Sequence, residues 1–137
     1  MVPIPQYPLY SATINLLGLN LVPYYLEEKK NWAVDIKTLE ETYKAYTDKG
    51  LRIKAFVVIN PGNPTGNVFD EENLRNTVKF CYEKNMVVLS DEVYQNNIYT
   101  NKKKFVSMRK IAANMSSPYN NVSIFSYNST SKGYYGE

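Results

Sequence analysis

The 137-residue sequence has a length and composition that fit one globular domain with a modest core. It is 44% hydrophobic and 21% charged, and its net charge of +3 is too small and its lysines too scattered to indicate a nucleic-acid partner. No apolar stretch has the length of a membrane span, and the opening "MVPIPQYPLY" lacks the basic and apolar regions of a signal peptide, so we expect no membrane partner.

Two residue types limit the chemistry. The chain has no histidine and a single cysteine, Cys81, which we interpret as a small buried core residue. Catalytic groups of the Ser-His-Asp or Cys-His type and histidine metal sites are therefore excluded from this chain. Acid–base chemistry must use Lys, Tyr, Asp or Glu, and we expect no bound metal.

The elements alternate between helix and strand. In chain order the sequence predicts helix 8–18, strand 19–27, helix 31–50, strand 52–60, helix 70–85, a strand beginning at 86, helix 107–115 and strand 121–127. Asp35 and Asp70 are suited to cap their helices, and Gly50 to end one. Pro23 favours an edge position or an irregular end for its strand. The strand–helix–strand order predicts an α/β fold of three layers, αβα, with a mostly parallel sheet.

Three polar clusters follow three of the predicted strands. They are "NPGNPTG" after the strand 52–60, "DEVY" after the strand that begins at 86, and "NSTSKG" after the strand 121–127. In parallel sheets ligands bind beyond the carboxyl ends of the strands, so the three clusters should face one cleft.

Each cluster also has an ordinary structural interpretation. In "STSK" the hydroxyls and N–H groups of residues 129–131 could bind phosphate, with Lys132 as a clamp or a nucleophile, or the segment could be a capped turn with a surface lysine. Asp91 ends an apolar strand, where its carboxylate must find a cationic partner or become neutral, unless it caps a helix or joins Glu92 in a metal site. "NPGNPTG" is a rigid turn, yet it offers two asparagines, Asn60 and Asn63, to the cleft.

Taken together, the clusters supply a phosphate cradle, an amine, a carboxylate, the phenol of Tyr94 and an amide. Pyridoxal 5'-phosphate needs such a set, because its aldehyde, phosphate, ring nitrogen and phenolate oxygen each require a different partner. Four stretches, "PIPQYPLYSA" (3–12), "VVINPGNPTG" (57–66), "LSDEVYQNNIY" (89–99) and "SIFSYNSTSKGYYGE" (123–137), resemble the fold-type I pyridoxal-phosphate-dependent aminotransferases of class I/II, and among them the alanine aminotransferases.

The resemblance implies three catalytic residues. Lys132 matches the lysine whose amine bonds to the cofactor aldehyde, Asp91 the carboxylate that pairs with the pyridine nitrogen, and Tyr94 the tyrosine that bonds the phenolate oxygen. Asn63, whose bond to Pro64 is cis in relatives, matches an asparagine on the same oxygen. The cofactor-binding residues that the resemblance implies are Tyr7, which stacks on the ring, Asn63, Asp91, Tyr94, the phosphate-binding hydroxyls of Ser129 and Ser131, and Lys132.

The implied reaction is ping-pong transamination of L-alanine with 2-oxoglutarate to pyruvate and L-glutamate, through a covalent bond to Lys132, in a homodimer. Alternatives are an aminotransferase for another amino acid, a C–S lyase, a decarboxylase or a synthase on the same scaffold, or an inactive module.

The family's glycine phosphate turn and two of its arginines lie outside the chain. We therefore expect residues 1–137 to be part of the large domain of a longer enzyme, inactive alone. We expect a cytoplasmic enzyme, with a mitochondrial location left open because the true N-terminus is missing.

Overall fold

The computed structural model describes residues 1–136. The strands are β1 (Val2–Ile4), β2 (Pro23–Glu27), β3 (Ala33–Val34), β4 (Ala55–Ile59), β5 (Val87–Asp91) and β6 (Ile124–Tyr127), and the helices are α1 (Leu9–Leu16), α2 (Ile36–Thr47), α3 (Glu71–Glu83) and α4 (Met108–Ala113). Every helix and strand predicted from the sequence is present, with its ends moved by a few residues, whereas β1 and β3 were not predicted. None of the helices in this part of the chain has the length and hydropathy that crossing a membrane requires.

The strands form two small sheets that adjoin. β4, β5 and β6 pair in that order and in parallel, and they place Ile59, Asp91 and Tyr127 in one row. β2 pairs in parallel with β1 and antiparallel with β3. The carbonyl of Met1 accepts a hydrogen bond from the amide of Val57 (2.9 Å), which sets β1 beside β4. The predicted mostly parallel sheet is confirmed.

Pro23 does not mark an edge strand. It is the first residue of β2, which lies between β1 and β3, and it pairs with Val2. The edge position is therefore wrong, and the irregular end is the better interpretation, because a residue without an N–H is tolerated where a strand begins.

The layers follow from the side chains of β4, which point alternately to the two faces of the sheet. Phe56 and Val58 belong to the larger core, and Val57 and Ile59 to a smaller one on the other face. The larger core contains Leu39 of α2, Leu74, Val78 and Phe80 of α3, and Ile111 of α4. The smaller core is covered by Tyr10 and Ile14 of α1. The predicted three-layer αβα architecture is confirmed, and burial on both faces explains why β4 is continuously apolar.

Local signals start and stop the helices where the sequence indicated. Asp35 Oδ1 accepts from the Thr38 amide at the start of α2 (3.1 Å), and Asp70 Oδ1 accepts from the Asn73 amide at the start of α3 (2.8 Å). After α2 the chain reverses at Gly50, whose φ of +85° favours glycine.

Cys81 lies in the larger core, as predicted. It is fully buried in α3, and burial raises the pKa of its thiol above the ordinary range. The thiol therefore stays protonated and acts as a small apolar side chain, not as a nucleophile.

β6 forms one edge of its sheet. Within residues 1–136 it pairs with β5 alone, and its Phe125 and Tyr127 are 58% and 49% exposed. The carboxyl end of this strand nevertheless stands in the row that contains Asp91.

We expect Asp35→Ala to lower the free energy of unfolding of the chain by about 1 kcal/mol near neutral pH, because the Thr38 amide loses its acceptor. The Lys30 ammonium, and after it the Thr38 amide, hold the pKa of Asp35 below its ordinary value. The carboxylate therefore stabilises the fold above about pH 4 and ceases to do so as the pH falls through the lower folded-state pKa. In urea denaturation the difference between wild type and variant should shrink over that range.

Asp48→Ala is the control for this prediction. Asp48 follows the other end of α2, where it forms an exposed ion pair with Lys44 (2.6 Å). Its loss should change the unfolding free energy by less than about 0.5 kcal/mol. Equal losses in the two variants would contradict the capping role of Asp35.

Candidate active site

The register of the parallel strands brings the three polar clusters to one place. Ile59, Asp91 and Tyr127 end their strands side by side, so the loops that follow leave the sheet from the same edge. This is the edge at which the sequence predicted a ligand site.

A cleft of about 330 Å³ opens at this edge. Its lining residues are Tyr7, Ile59, Asn63, Asp91, Val93, Tyr94, Tyr127, Asn128 and Lys132. The structure thus brings together an amine, a carboxylate, an amide and two phenols that the sequence had singled out. A second cleft of about 360 Å³, between α1 and the opposite end of β4, is mostly apolar and contains none of the predicted site residues, so the chemistry points to the first cleft.

Ser129 and Ser131 do not line the cleft. Their hydroxyl oxygens lie 2.7 Å apart, and the Ser131 amide donates to Ser129 Oγ (3.2 Å), while the Ser129 amide donates to Asn128 Oδ1 (2.8 Å). The hydroxyls satisfy one another in a turn, which is the structural alternative we had considered for this segment. Their role in binding phosphate stays a prediction. Glu137, the end of the last motif, lies outside the described residues.

The two asparagines of "NPGNPTG" have different surroundings. Asn63 lines the cleft, and its peptide bond to Pro64 is cis, as the resemblance implied. Asn60 is 2% exposed, and its side-chain Oδ1 accepts from the backbone amide of Phe69 (3.1 Å). The backbone amide of Asn60 donates to the backbone carbonyl of Asp91 (2.9 Å). The expectation that both asparagines face the cleft is therefore wrong for Asn60, because its side chain satisfies a buried backbone amide.

Gly62 allows the loop to fold tightly beside Asn63. A Cβ at this position would come closer than 3.0 Å to the side chains of Thr65 and Asn67. These side chains are not free to move, since Thr65 donates to Asn67, whose amide in turn donates to the carbonyl of Trp32 (3.3 Å). Only glycine fits, although the φ of Gly62 itself is not left-handed.

Asp91 is held by two donors. Its Oδ2 accepts from the hydroxyl of Tyr10 (2.5 Å), and its Oδ1 from the amide of Val93 (3.2 Å). Burial, and then the bond to Asp91, raise the pKa of Tyr10 above the ordinary range, so the phenol keeps its proton and donates it. Tyr10 was not predicted as a site residue. The signal was available, because Tyr10 follows Tyr7 by three residues across the start of the helix predicted at 8–18, and residues at this spacing in a helical turn share a face.

Glu92, the neighbour of Asp91, serves another purpose. It is 7% exposed, and its Oε1 accepts from Ser90 Oγ, Ser107 Oγ and the Met108 amide, each at 3.0 Å. The carboxylate therefore fixes the start of α4 against the end of β5. Because the two carboxylates have separate partners, the alternative of a shared metal site at Asp91 and Glu92 is not supported.

Comparison with known proteins agrees with this geometry. The family model described as aminotransferase class I and II matches residues 1–136. The chain is 49% identical over its whole length to glutamate–glyoxylate aminotransferase 1 of Arabidopsis thaliana, and 51% identical over 98% of its length to alanine aminotransferase 1, mitochondrial, of the same plant. It spans only 29% and 25% of these two relatives. The chain belongs to the aminotransferase class I and II family.

A solved structure shows the same fold. The PLP-bound putative aminotransferase from Clostridium difficile 630 superposes with a TM-score of 0.78 over 96% of this chain and 31% of its own, at 23% identity. An aminotransferase from Escherichia coli also superposes, with a TM-score of 0.78 over 96% of this chain and 29% of its own, at 27% identity. The three-layer architecture with its mostly parallel sheet is that of the fold-type I aminotransferases.

We expect Gly62→Ala to lower the free energy of unfolding by roughly 1–3 kcal/mol, because the added methyl displaces Asn67 or Thr65 and breaks the bonds between them. Urea denaturation measures this loss. Gly133→Ala is the matched control, since a Cβ there would have its nearest neighbours at 3.7 Å and the φ of Gly133 is not left-handed either. A Gly62→Ala protein as stable as the control would show that the loop is not tightly packed.

Proposed function

We propose that the protein carrying this chain is a pyridoxal-phosphate-dependent aminotransferase, and that residues 1–137 are part of its cofactor-binding large domain. One observation carries the proposal. The amine of Lys132, the carboxylate of Asp91, the phenol of Tyr94 and the amide of Asn63 line one cleft at the carboxyl ends of parallel strands, in a chain of this family. The small share of the relatives that the chain spans supports a longer protein.

The residues in the cleft fit pyridoxal 5'-phosphate. The cofactor is an aromatic ring with an aldehyde, a phenolate oxygen, a ring nitrogen and a phosphate. The aldehyde needs an amine, the phenolate oxygen needs hydrogen-bond donors, and the protonated ring nitrogen needs a carboxylate that accepts its hydrogen bond. The cleft offers a group of each kind and an aromatic side chain, Tyr7. The hydroxyls predicted to bind the phosphate, those of Ser129 and Ser131, do not line the cleft. They could bind the phosphate after a change in their turn, together with groups outside the chain.

Each side chain then has a distinct task. Lys132 would hold the aldehyde through its amine, and Asp91 would keep a proton on the ring nitrogen by pairing with it. Tyr94 and Asn63 would donate hydrogen bonds to the phenolate oxygen, and Tyr7 would cover one face of the ring and exclude water from it. Lys132, Asp91 and Tyr94 are the catalytic residues in this proposal.

When bound, the cofactor supplies an electron-accepting ring that stabilises the negative charge left at the α-carbon of an amino acid. The amine of Lys132 would hold and move the proton at that α-carbon, as general base and general acid. Asp91 would keep the ring nitrogen cationic by pairing with it. Because amino acid and 2-oxo acid use the same site in turn, the kinetics should be ping-pong.

The substrates we propose are L-alanine and 2-oxoglutarate, which give pyruvate and L-glutamate. The 51% identity to a plant alanine aminotransferase supports this choice. A second candidate is transfer from glutamate to glyoxylate, favoured by the 49% identity to a glutamate–glyoxylate aminotransferase. We further propose a cytoplasmic homodimer.

Borohydride reduction of the full-length protein loaded with cofactor should leave the cofactor attached to Lys132, as peptide mass spectrometry would show. Lys132→Ala should lose the adduct and turnover while the cofactor still binds non-covalently. Lys104→Ala is the control, because Lys104 is an exposed lysine outside the cleft, and it should keep the adduct and turn over within about twofold of wild type. An adduct at any other lysine would refute the assignment.

Product analysis separates the candidate reactions. The full-length enzyme should convert L-alanine and 2-oxoglutarate to pyruvate and glutamate with a higher kcat/KM than it converts glutamate and glyoxylate to 2-oxoglutarate and glycine. The reverse order would favour the second candidate. Cleavage of a sulfur-containing amino acid in place of both would assign the scaffold to a lyase.

A further inference from the structure

The bond between Tyr10 and Asp91 joins parts of the chain that are 81 positions apart. Tyr10 is the second residue of α1, and Asp91 is the last residue of β5. The phenol is half-buried and has kept its proton, so it donates to a carboxylate that also lines the cleft. A hydrogen bond to a charged acceptor is stronger than one between neutral groups.

α1 has few other attachments to the sheet at this end. None of its residues is fully buried, and Leu9 and Leu16 are 58% and 84% exposed. Its apolar contact with the sheet runs through Tyr10 and Ile14, which pack against the smaller core. The hydroxyl of Tyr10 therefore supplies the polar contact that fixes the first turn of the helix relative to β5.

The same turn carries Tyr7. The Tyr10 amide donates to the carbonyl of Tyr7 (3.4 Å), and residues three positions apart in a helical turn share a face. Tyr7 lines the cleft, while Tyr10 reaches the carboxylate beside it. One bond thus sets the positions of two cleft residues, the ring of Tyr7 and the carboxylate of Asp91.

Asp91 keeps acceptor capacity for a ligand. A carboxylate accepts about four hydrogen bonds, and the contacts with Tyr10 and Val93 use two of them. Two donors on different oxygens fix the plane of the carboxylate, and hydrogen bonds to its charged form favour that form. The carboxylate is thus oriented before a ligand binds.

We propose that Tyr10 is a positioning residue of the cofactor site, which holds the Asp91 carboxylate in place for the ring nitrogen and fixes the turn that carries Tyr7. This assignment rests on the proposed function. Tyr10 touches neither substrate nor cofactor in this scheme and acts through Asp91. Its loss should weaken cofactor binding and reduce the protonated fraction of the ring nitrogen, two effects that a purely structural residue would not produce together.

The test replaces Tyr10 by phenylalanine in the full-length enzyme and measures the cofactor itself. With cofactor labelled with ¹⁵N at the ring nitrogen, the resonance of Tyr10→Phe should shift toward that of the unprotonated ring at the same pH. The dissociation constant of the cofactor should rise roughly tenfold, the scale expected for loss of a hydrogen bond to a charged group. Tyr25→Phe, which removes the hydroxyl of an exposed tyrosine on β2, should change neither quantity.

A double-mutant cycle tests whether Tyr10 acts through Asp91. In an Asp91→Asn background, Tyr10→Phe should change the dissociation constant by less than about twofold, because the charged acceptor is already gone. An equal loss in both backgrounds would overturn the assignment. So would an unshifted ring-nitrogen resonance with unchanged affinity.

A measurement without a variant covers the case in which Tyr10→Phe does not fold. A crystal structure of the cofactor-bound wild type should retain the bond between the Tyr10 hydroxyl and Asp91, with Asp91 on the ring nitrogen. A Tyr10 hydroxyl turned away from Asp91 would refute the inference and leave the proposed function intact. A wild-type protein that takes up no cofactor would instead refute the proposed function.

Discussion

The parallel pairing of β4, β5 and β6 is the constraint on which the site depends. It aligns Ile59, Asp91 and Tyr127, so that three loops distant in sequence begin at one edge of the sheet. The pairing is itself driven by burial, because β4 must cover apolar side chains on both faces, with α1 on one side and α2, α3 and α4 on the other. The arrangement of polar groups around the cleft is thus a product of apolar packing behind it.

Buried polar groups then fix the loops to this frame. Asn60 binds Phe69 through its side chain and β5 through its backbone amide. The side chain of Glu92 joins the end of β5 to the start of α4. Unpaired, these groups would each cost folding free energy, so the loops have few other conformations in which they could be satisfied. Asn63 and Asp91 line the cleft beside these loops, and Asp91 keeps acceptor capacity beyond its bonds to Tyr10 and Val93.

What could be predicted from the sequence was governed by distance along the chain. The caps at Asp35 and Asp70 depend on an amide three residues away, and they are formed as expected. β1 and β3 have three and two residues, too few for a periodic pattern, and they exist because of partners elsewhere in the chain. The role of Asn60 depends on an amide nine positions away. The amine, carboxylate, phenol and amide of the cleft were found because chemical type and strand order sufficed for them. Tyr7 was found through the family resemblance, and Tyr10 required a contact across 81 positions.

The open side of β6 has a practical consequence. Within residues 1–136 this strand leaves one row of backbone donors and acceptors without a neighbouring strand, flanked by the aromatic rings of Phe125 and Tyr127. An uncovered edge strand of this kind can pair with a strand of another molecule. If these 137 residues are produced by themselves, we therefore expect low solubility, because correctly folded molecules would associate through their β6 edges.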